Sequence, residues 1–104
     1  MMRRVLIAES DDDVRDLLEL TVRRLGYEAV AANDSSDVDA VLVEPACAVG
    51  RSVLRRLGVN APPVICLSIF PREEGLEPAT SVAYLVKPAS STEIARALRT
   101  VFAV

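Results

Sequence analysis

Four short apolar runs along this chain each end in a reactive polar residue. Val5-Leu6-Ile7-Ala8 leads into Glu9, Ala40-Val41-Leu42-Val43 into Glu44, Val64-Ile65-Cys66-Leu67 into Ser68, and Ala83-Tyr84-Leu85-Val86 into Lys87. Unbroken apolar runs of about four or five residues suit parallel strands covered by helices on both faces. In such sheets the ligand crevice lies beyond the carboxyl ends of the strands. The pattern therefore predicts that two carboxylates, a hydroxyl and an ammonium converge on one small pocket. That set of groups handles anions or phosphoryl groups.

The stretches between these runs alternate with them. Arg4 to Ala8 reads as the first strand, and Asp11 to Leu25 as a helix with Val14, Leu17, Leu18, Thr21, Val22 and Leu25 on one face. Asp11, Asp12 and Asp13 stand at its start, where caps and the helix dipole favour acids. Gly26 suits the position just past its end. Tyr27 to Ala32 is a second, weaker strand and Asp39 to Val43 the third. A helix from Val49 or Gly50 to Leu57 closes at Gly58, and Pro62-Pro63 precedes a strand from Val64 to Ser68. Pro71, Gly75 and Pro78 leave room for only a short, irregular helix before the fifth strand, Ser81 to Val86. Ser90 and Glu93 have capping-box spacing, and a last helix runs to about Phe102.

This alternation predicts an α/β fold with right-handed crossovers. One crossover is too short. Only about seven residues, Asn33 to Asp39, join the second and third strands, where a helical crossover takes roughly ten to twelve. Seven extended residues still span roughly 23 Å. The expectation is a connection with no helix, or one turn at Ser35-Asp37, leaving one sheet face partly bare near the second strand. Exposed apolar patches of that kind mark association sites, so a homodimer through the bare face is expected.

Composition narrows the function. The 104 residues, 51% hydrophobic and 26% charged, suit one globular domain spanning 1–104. The formal charge of −3, with acids scattered among arginines, offers no basic face for nucleic acid. No run approaches a membrane span and no secretory leader opens the chain, so a cytoplasmic protein is expected. Histidine is absent, which excludes a histidine-based metal site and a Ser-His-Asp triad. Cys47 and Cys66 lack metal or redox-motif spacing; Cys66 reads as a small core residue and Cys47 as a thiol in the loop three residues after Glu44. Lys87 is the only lysine beside eleven arginines. An Arg-biased chain that keeps one lysine at a strand end points to a need for a compact ammonium there.

Taken in order, Val5-Leu-Ile-Ala-Glu-Ser-Asp-Asp-Asp, Asp39-Ala-Val-Leu-Val-Glu-Pro, Pro63-Val-Ile-Cys-Leu-Ser and Ala83-Tyr-Leu-Val-Lys-Pro make the chain resemble the receiver domain of two-component response regulators over its whole length. The resemblance implies a flavodoxin-like sheet of five parallel strands in order 2-1-3-4-5, with the second helix missing or one turn and the fourth helix short. It also implies an aspartate phosphorylated by a histidine kinase, a magnesium ion held by acids after the first strand, and a hydroxyl and a lysine that contact the phosphoryl oxygens. Lys87 falls at the lysine of that motif, Pro88 at the proline that follows a cis bond, Ser68 at the hydroxyl and Tyr84 at the aromatic of the switch. Glu9 falls at the first acidic position, but Ser10 falls at the second, and Glu44 falls where the phosphoaccepting aspartate stands. The partner surface implied by the family lies around Leu76, Tyr84, Val86 and the helix from Ser90.

The departures decide the functional expectation. Magnesium wants near-octahedral oxygen ligation, and Ser10 removes a carboxylate from it. Glu44 extends its carboxylate by one methylene, roughly 1.5 Å, and a displacement of about 1 Å costs on the order of a hundredfold in a positioned reaction. The leading reading is a pseudo-receiver: a non-enzymatic interaction module, with a histidine kinase or a downstream effector as partner and no cofactor. In it Glu44 either pairs with Lys87 in a relic pocket or mimics the phosphorylated aspartate toward Lys87 and Ser68. The alternatives are a conventional magnesium-dependent receiver, with a loosely held ion at Glu9, Asp11 and Glu44, and a small hydrolase using Glu9 or Glu44 as base. The hydrolase lacks a nucleophile–base pair.

Overall fold

The computed structural model describes residues 2–34, 37–58, 61–70 and 81–103. Its elements are β1 (Arg4–Ala8), α1 (Asp12–Arg24), β2 (Glu28–Ala31), β3 (Ala40–Val43), α2 (Ala48–Leu57), β4 (Val64–Ser68), β5 (Ser81–Val86) and α3 (Ser91–Phe102). All strand pairings are parallel, in the order β2-β1-β3-β4-β5. The strands and helices fall where the apolar runs and cap residues place them. The expected short fourth helix belongs to residues 71–80, outside the described residues, as does Leu76.

Alternate side chains of each strand face opposite sides, so the sheet carries two cores. Val5, Ile7, Leu42, Ile65 and Leu67 face α1 and α3, meeting Leu18, Val22, Ile94 and Leu98. Leu6, Ala8, Val41, Val43, Val64 and Cys66 face α2 and its Val53. Helix ends follow local chemistry. The Asp11 carboxylate accepts from the Val14 amide at 3.0 Å, and Gly26 turns the chain at φ 89. Ser90 and Glu93 form the expected capping box, accepting from each other's backbone amides at 3.1 Å.

No helix links β2 to β3 among the described residues. The expected bare face is not there, however. Leu6, Val30 and Val41 on that face are 1%, 4% and 0% exposed, because Ala32 and Val38 of the connection close over them together with Leu54, Leu57 and Ala61. Arg4 fastens this cover. Its guanidinium donates to Glu28 at 2.7 Å and to the Asp37 carbonyl at 2.6 Å, and lies 3.7 Å from Asp34. Its amide donates to Asp39 at 2.7 Å. The Glu28 hydrogen bond raises the Arg4 pKa above its ordinary value, so the fastening cation stays charged. Among the described residues the short connection covers the sheet by tethering, and those residues form no exposed apolar patch on this face for self-association; the single turn expected at Ser35-Asp37 falls in part on residues outside those described. The exposed large apolar side chains lie elsewhere: Leu17 and Leu20 on α1, Ile69 and Phe70 after β4, and Val82 and Val86 on β5.

The turn from β3 into α2 is equally tight. A Cβ on Gly50 would lie 1.8 Å from the Glu44 carbonyl oxygen, so only glycine lets the first turn of α2 press against the tip of β3. Glycine-to-alanine inside a helix ordinarily gains about 1 kcal/mol. Here the sign reverses: Gly50→Ala lowers stability by about 1–3 kcal/mol through overpacking, read as a fall in the urea midpoint at unchanged slope.

Candidate functional site

Parallel pairing places the tips of β1 and β3 side by side. Ala8 pairs with Val43, and the Glu44 amide donates to the Ala8 carbonyl at 3.0 Å. Glu9 and Glu44 thus leave adjacent strands at the same level. At the far side of β3, Ser68 ends β4 and pairs with Val86, and the Lys87 amide donates to the Ser68 carbonyl at 2.8 Å. Lys87 precedes Pro88 through a cis bond. Glu9, Glu44, Ser68 and Lys87 therefore share one end of the sheet.

The side chains are less evenly joined than the tips. The Lys87 ammonium donates directly to Glu9 Oε1. It lies 3.7 Å from Glu44 Oε1, an ion-pair separation beyond hydrogen-bond length. Glu9 Oε2 accepts from the Asp11 amide at 3.2 Å, so both oxygens of Glu9 are engaged. Glu44 Oε2 is buried with no hydrogen-bond partner. The carboxylates are 4% and 8% exposed and Lys87 is 16% exposed. One ammonium thus answers two carboxylates, and the formal charge of the cluster is negative. Arg15 reaches the Glu9 carbonyl at 3.4 Å, but its guanidinium is drawn outward by Asp12 at 2.6 Å. That hydrogen bond, helped by Asp16 and Glu19, raises the Arg15 pKa above its ordinary value.

Ser68 and Tyr84 belong to a separate arrangement. The Ser68 hydroxyl, fully buried, accepts from the Phe70 amide at 3.2 Å. The Tyr84 hydroxyl donates to the Phe70 carbonyl at 2.9 Å. Both therefore hold the chain leaving β4, and no hydrogen bond joins Ser68 to Glu44. Pro88 is exposed and, with Val14, Leu17, Leu67, Ile69 and Ile94, lines an apolar hollow of about 340 Å³ beside Lys87.

The residues do not fit a magnesium ion. The Asp11 carboxylate caps α1, Ser10 brings no charge and is exposed, and Glu9 is spent on Lys87 and the Asp11 amide. Among the described residues no group of three or more acidic, cysteine or histidine side chains is placed to hold a metal ion. The space between Glu9 and Glu44 is served by the Lys87 ammonium.

Two contributors escaped sequence reading. Cys47, expected as a loop thiol, is the N-cap of α2: its sulfur accepts from the Gly50 amide at 3.3 Å and donates to the Glu44 carbonyl at 3.2 Å. Gly50 gives the Glu44 backbone its room. A Cys-x-x-Gly spacing after a strand-ending acid was the available signal, but cysteine is a rare cap and glycine inside a helix reads as a defect.

No family model and no curated protein matches the chain by sequence. Solved structures match its fold. A response regulator receiver protein from Burkholderia phymatum is similar at TM-score 0.78 and 24% identity, over 98% of this chain and 96% of that one. The response regulator TrrA of Thermotoga maritima, solved with Mg2+ and BeF, is similar at 0.75 and 22%, over 96% and 99%. The same regulator in complex with the histidine kinase ThkA is similar at 0.74 and 17%, over 96% and 98%. The chain has the receiver-domain fold: five parallel strands in the order 2-1-3-4-5, with the three helices described above.

The two acids differ in what they hold. Glu9→Gln removes the partner of a buried ammonium and lowers stability by about 2–4 kcal/mol. Glu44→Gln removes the surplus acid and changes stability by less than about 1 kcal/mol. Paired urea titrations of the two variants check the contrast.

Proposed function

We propose that this chain is a receiver-like signalling module of a two-component pathway that acts by protein–protein interaction and carries no phosphoryl group. One observation carries the reading: the Lys87 ammonium, which would have to meet an incoming phosphoryl group, is committed to Glu9 and Glu44. A phosphoryl dianion approaching Glu44 meets two carboxylates against one ammonium, with no metal site among the described residues to offset the repulsion. Glu44 also stands one methylene beyond the reach of an aspartate. Catalysis by this end of the sheet is disfavoured on the same grounds, so the module is read as non-enzymatic.

Between the two roles weighed for Glu44, the geometry favours the ion pair over phosphoryl mimicry. Mimicry asks Glu44 to engage both Lys87 and Ser68. Its carboxylate approaches Lys87 at 3.7 Å, while the Ser68 hydroxyl is turned to Phe70.

The interaction surface is read from β5 and α3. Val82 and Val86 are 57% and 47% exposed, and a largely apolar groove of about 480 Å³ runs between the two elements, lined by Val82, Leu85, Arg96, Ala97 and Val101. The partner is a signalling protein, a histidine kinase or a downstream effector; TrrA, of the same fold, is seen in complex with such a kinase. The net charge of −3, with acids scattered among arginines, speaks against a nucleic-acid partner, no described helix is long and apolar enough to cross a membrane, and a cytoplasmic setting is part of the same reading.

Incubation with acetyl phosphate and magnesium, followed by intact-mass measurement, tests this. No phosphoryl adduct is expected. An adduct that disappears in Glu44→Gln would restore the conventional receiver reading.

A further inference from the structure

Lys87 does more than end β5. Among the described residues its ammonium is the one cation in ion-pair contact with two carboxylates that are each more than nine-tenths buried. Buried acids need a counter-charge, and removing one partner of such a set leaves an uncompensated charge. Around Glu9 and Glu44 the other available groups are already spent: the Asp11 amide on Glu9 Oε2, the Asp11 carboxylate on the α1 cap, and the Arg15 guanidinium on Asp12. Glu44 Oε2 remains buried and unpartnered. If the ammonium were absent, Glu9 Oε1 and both oxygens of Glu44 would stand unpartnered, and Lys87 would place nothing positive between the two strand-tip acids.

We infer that Lys87 is a built-in cation that takes the place of a divalent metal at this end of the sheet, so that the natural chain is indifferent to divalent ions and a chain lacking the ammonium requires one. The inference rests on the reading of the chain as a receiver-like module without phosphoryl transfer, and deepens it by naming what holds the pocket closed. The physical argument is one of exclusion. A hydrated divalent ion needs several oxygen ligands and retains waters. The ammonium lies in contact with both acids, and its charge opposes a second cation at a few ångströms. Deleting the amine at Lys87 removes both the bulk and the repulsion, leaving Glu9 Oε1 and both oxygens of Glu44 free to hold a hydrated ion.

Manganese is the probe, because it broadens nearby amide resonances and also stabilises any protein that binds it. In the natural chain, millimolar Mn2+ is expected to leave the Glu9, Glu44 and Lys87 amides sharp and the melting temperature equal to that in chelator. Lys87→Ala in chelator is expected to melt about 15 °C lower, and millimolar Mn2+ to recover about half of that loss. The recovery should vanish in Glu9→Gln/Lys87→Ala, which removes an oxygen ligand. Should Lys87→Ala not fold in chelator, folding on addition of Mn2+ is the supporting result, and failure to fold in either condition overturns the inference. It is equally overturned by site-specific broadening in the natural chain, by a Lys87→Ala variant indifferent to Mn2+, or by a recovery that survives loss of Glu9. Phosphorylation by acetyl phosphate is a separate readout. An adduct on a chain that does not bind Mn2+ sinks the non-phosphorylated reading alone, and Mn2+ binding without an adduct sinks this one alone.

Discussion

One ammonium set against two buried carboxylates organises this end of the molecule. Glu9 and Glu44 are brought to the same level by parallel pairing of β1 and β3, and neither can reach solvent for its charge. Lys87 arrives from the far edge of the sheet, across β4, and supplies the opposing charge seen among the described residues. Buried ionic groups of this kind add little net stability over an apolar alternative, yet breaking one is costly because the survivor is stranded. The cluster therefore specifies an arrangement more than it stabilises a fold.

The rest of the chain makes that arrangement reachable. The short turn after β3 works because Gly50 lets α2 approach the Glu44 carbonyl and because the Cys47 sulfur caps the helix in the space left. On the opposite edge, Arg4 ties Glu28, Asp34, the Asp37 carbonyl and Asp39 together, so a connection without a described helix still seals Leu6 and Val30. Both devices allow a short connection without opening the core. A chain can lose a covering helix and keep a dry sheet if polar tethers hold the substitute loop down.

The groups at this end of the sheet are largely engaged with one another and with the backbone. Here the lysine is engaged, one acid is doubly bonded, and the hydroxyl at Ser68 belongs to the backbone of the segment that leaves β4. Among the described residues the exposed large apolar side chains include Val82 and Val86 on β5, and Leu17 and Ile69 beside the hollow at Pro88. Those surfaces suit contacts between proteins.

The apolar runs and caps determined the sheet, because buried parallel strands require continuous hydrophobic stretches and helices require their polar stops; β1, β4 and β5 and the Ser90 capping box were legible residue by residue. The gathering of Glu9, Glu44, Ser68 and Lys87 at one end of the sheet was legible for the same reason, since strand direction alone sends each terminal residue to that end. The division of partners among them was not. Whether Lys87 turns to Glu9 or to Glu44, and whether Ser68 turns to Glu44 or to Phe70, depends on side-chain reach and competing donors that no spacing encodes. The seal over β2 was likewise decided in three dimensions, where Arg4 meets acids 24 to 35 residues away. Local pattern dictates where charges emerge; only packing decides which of them neutralise one another.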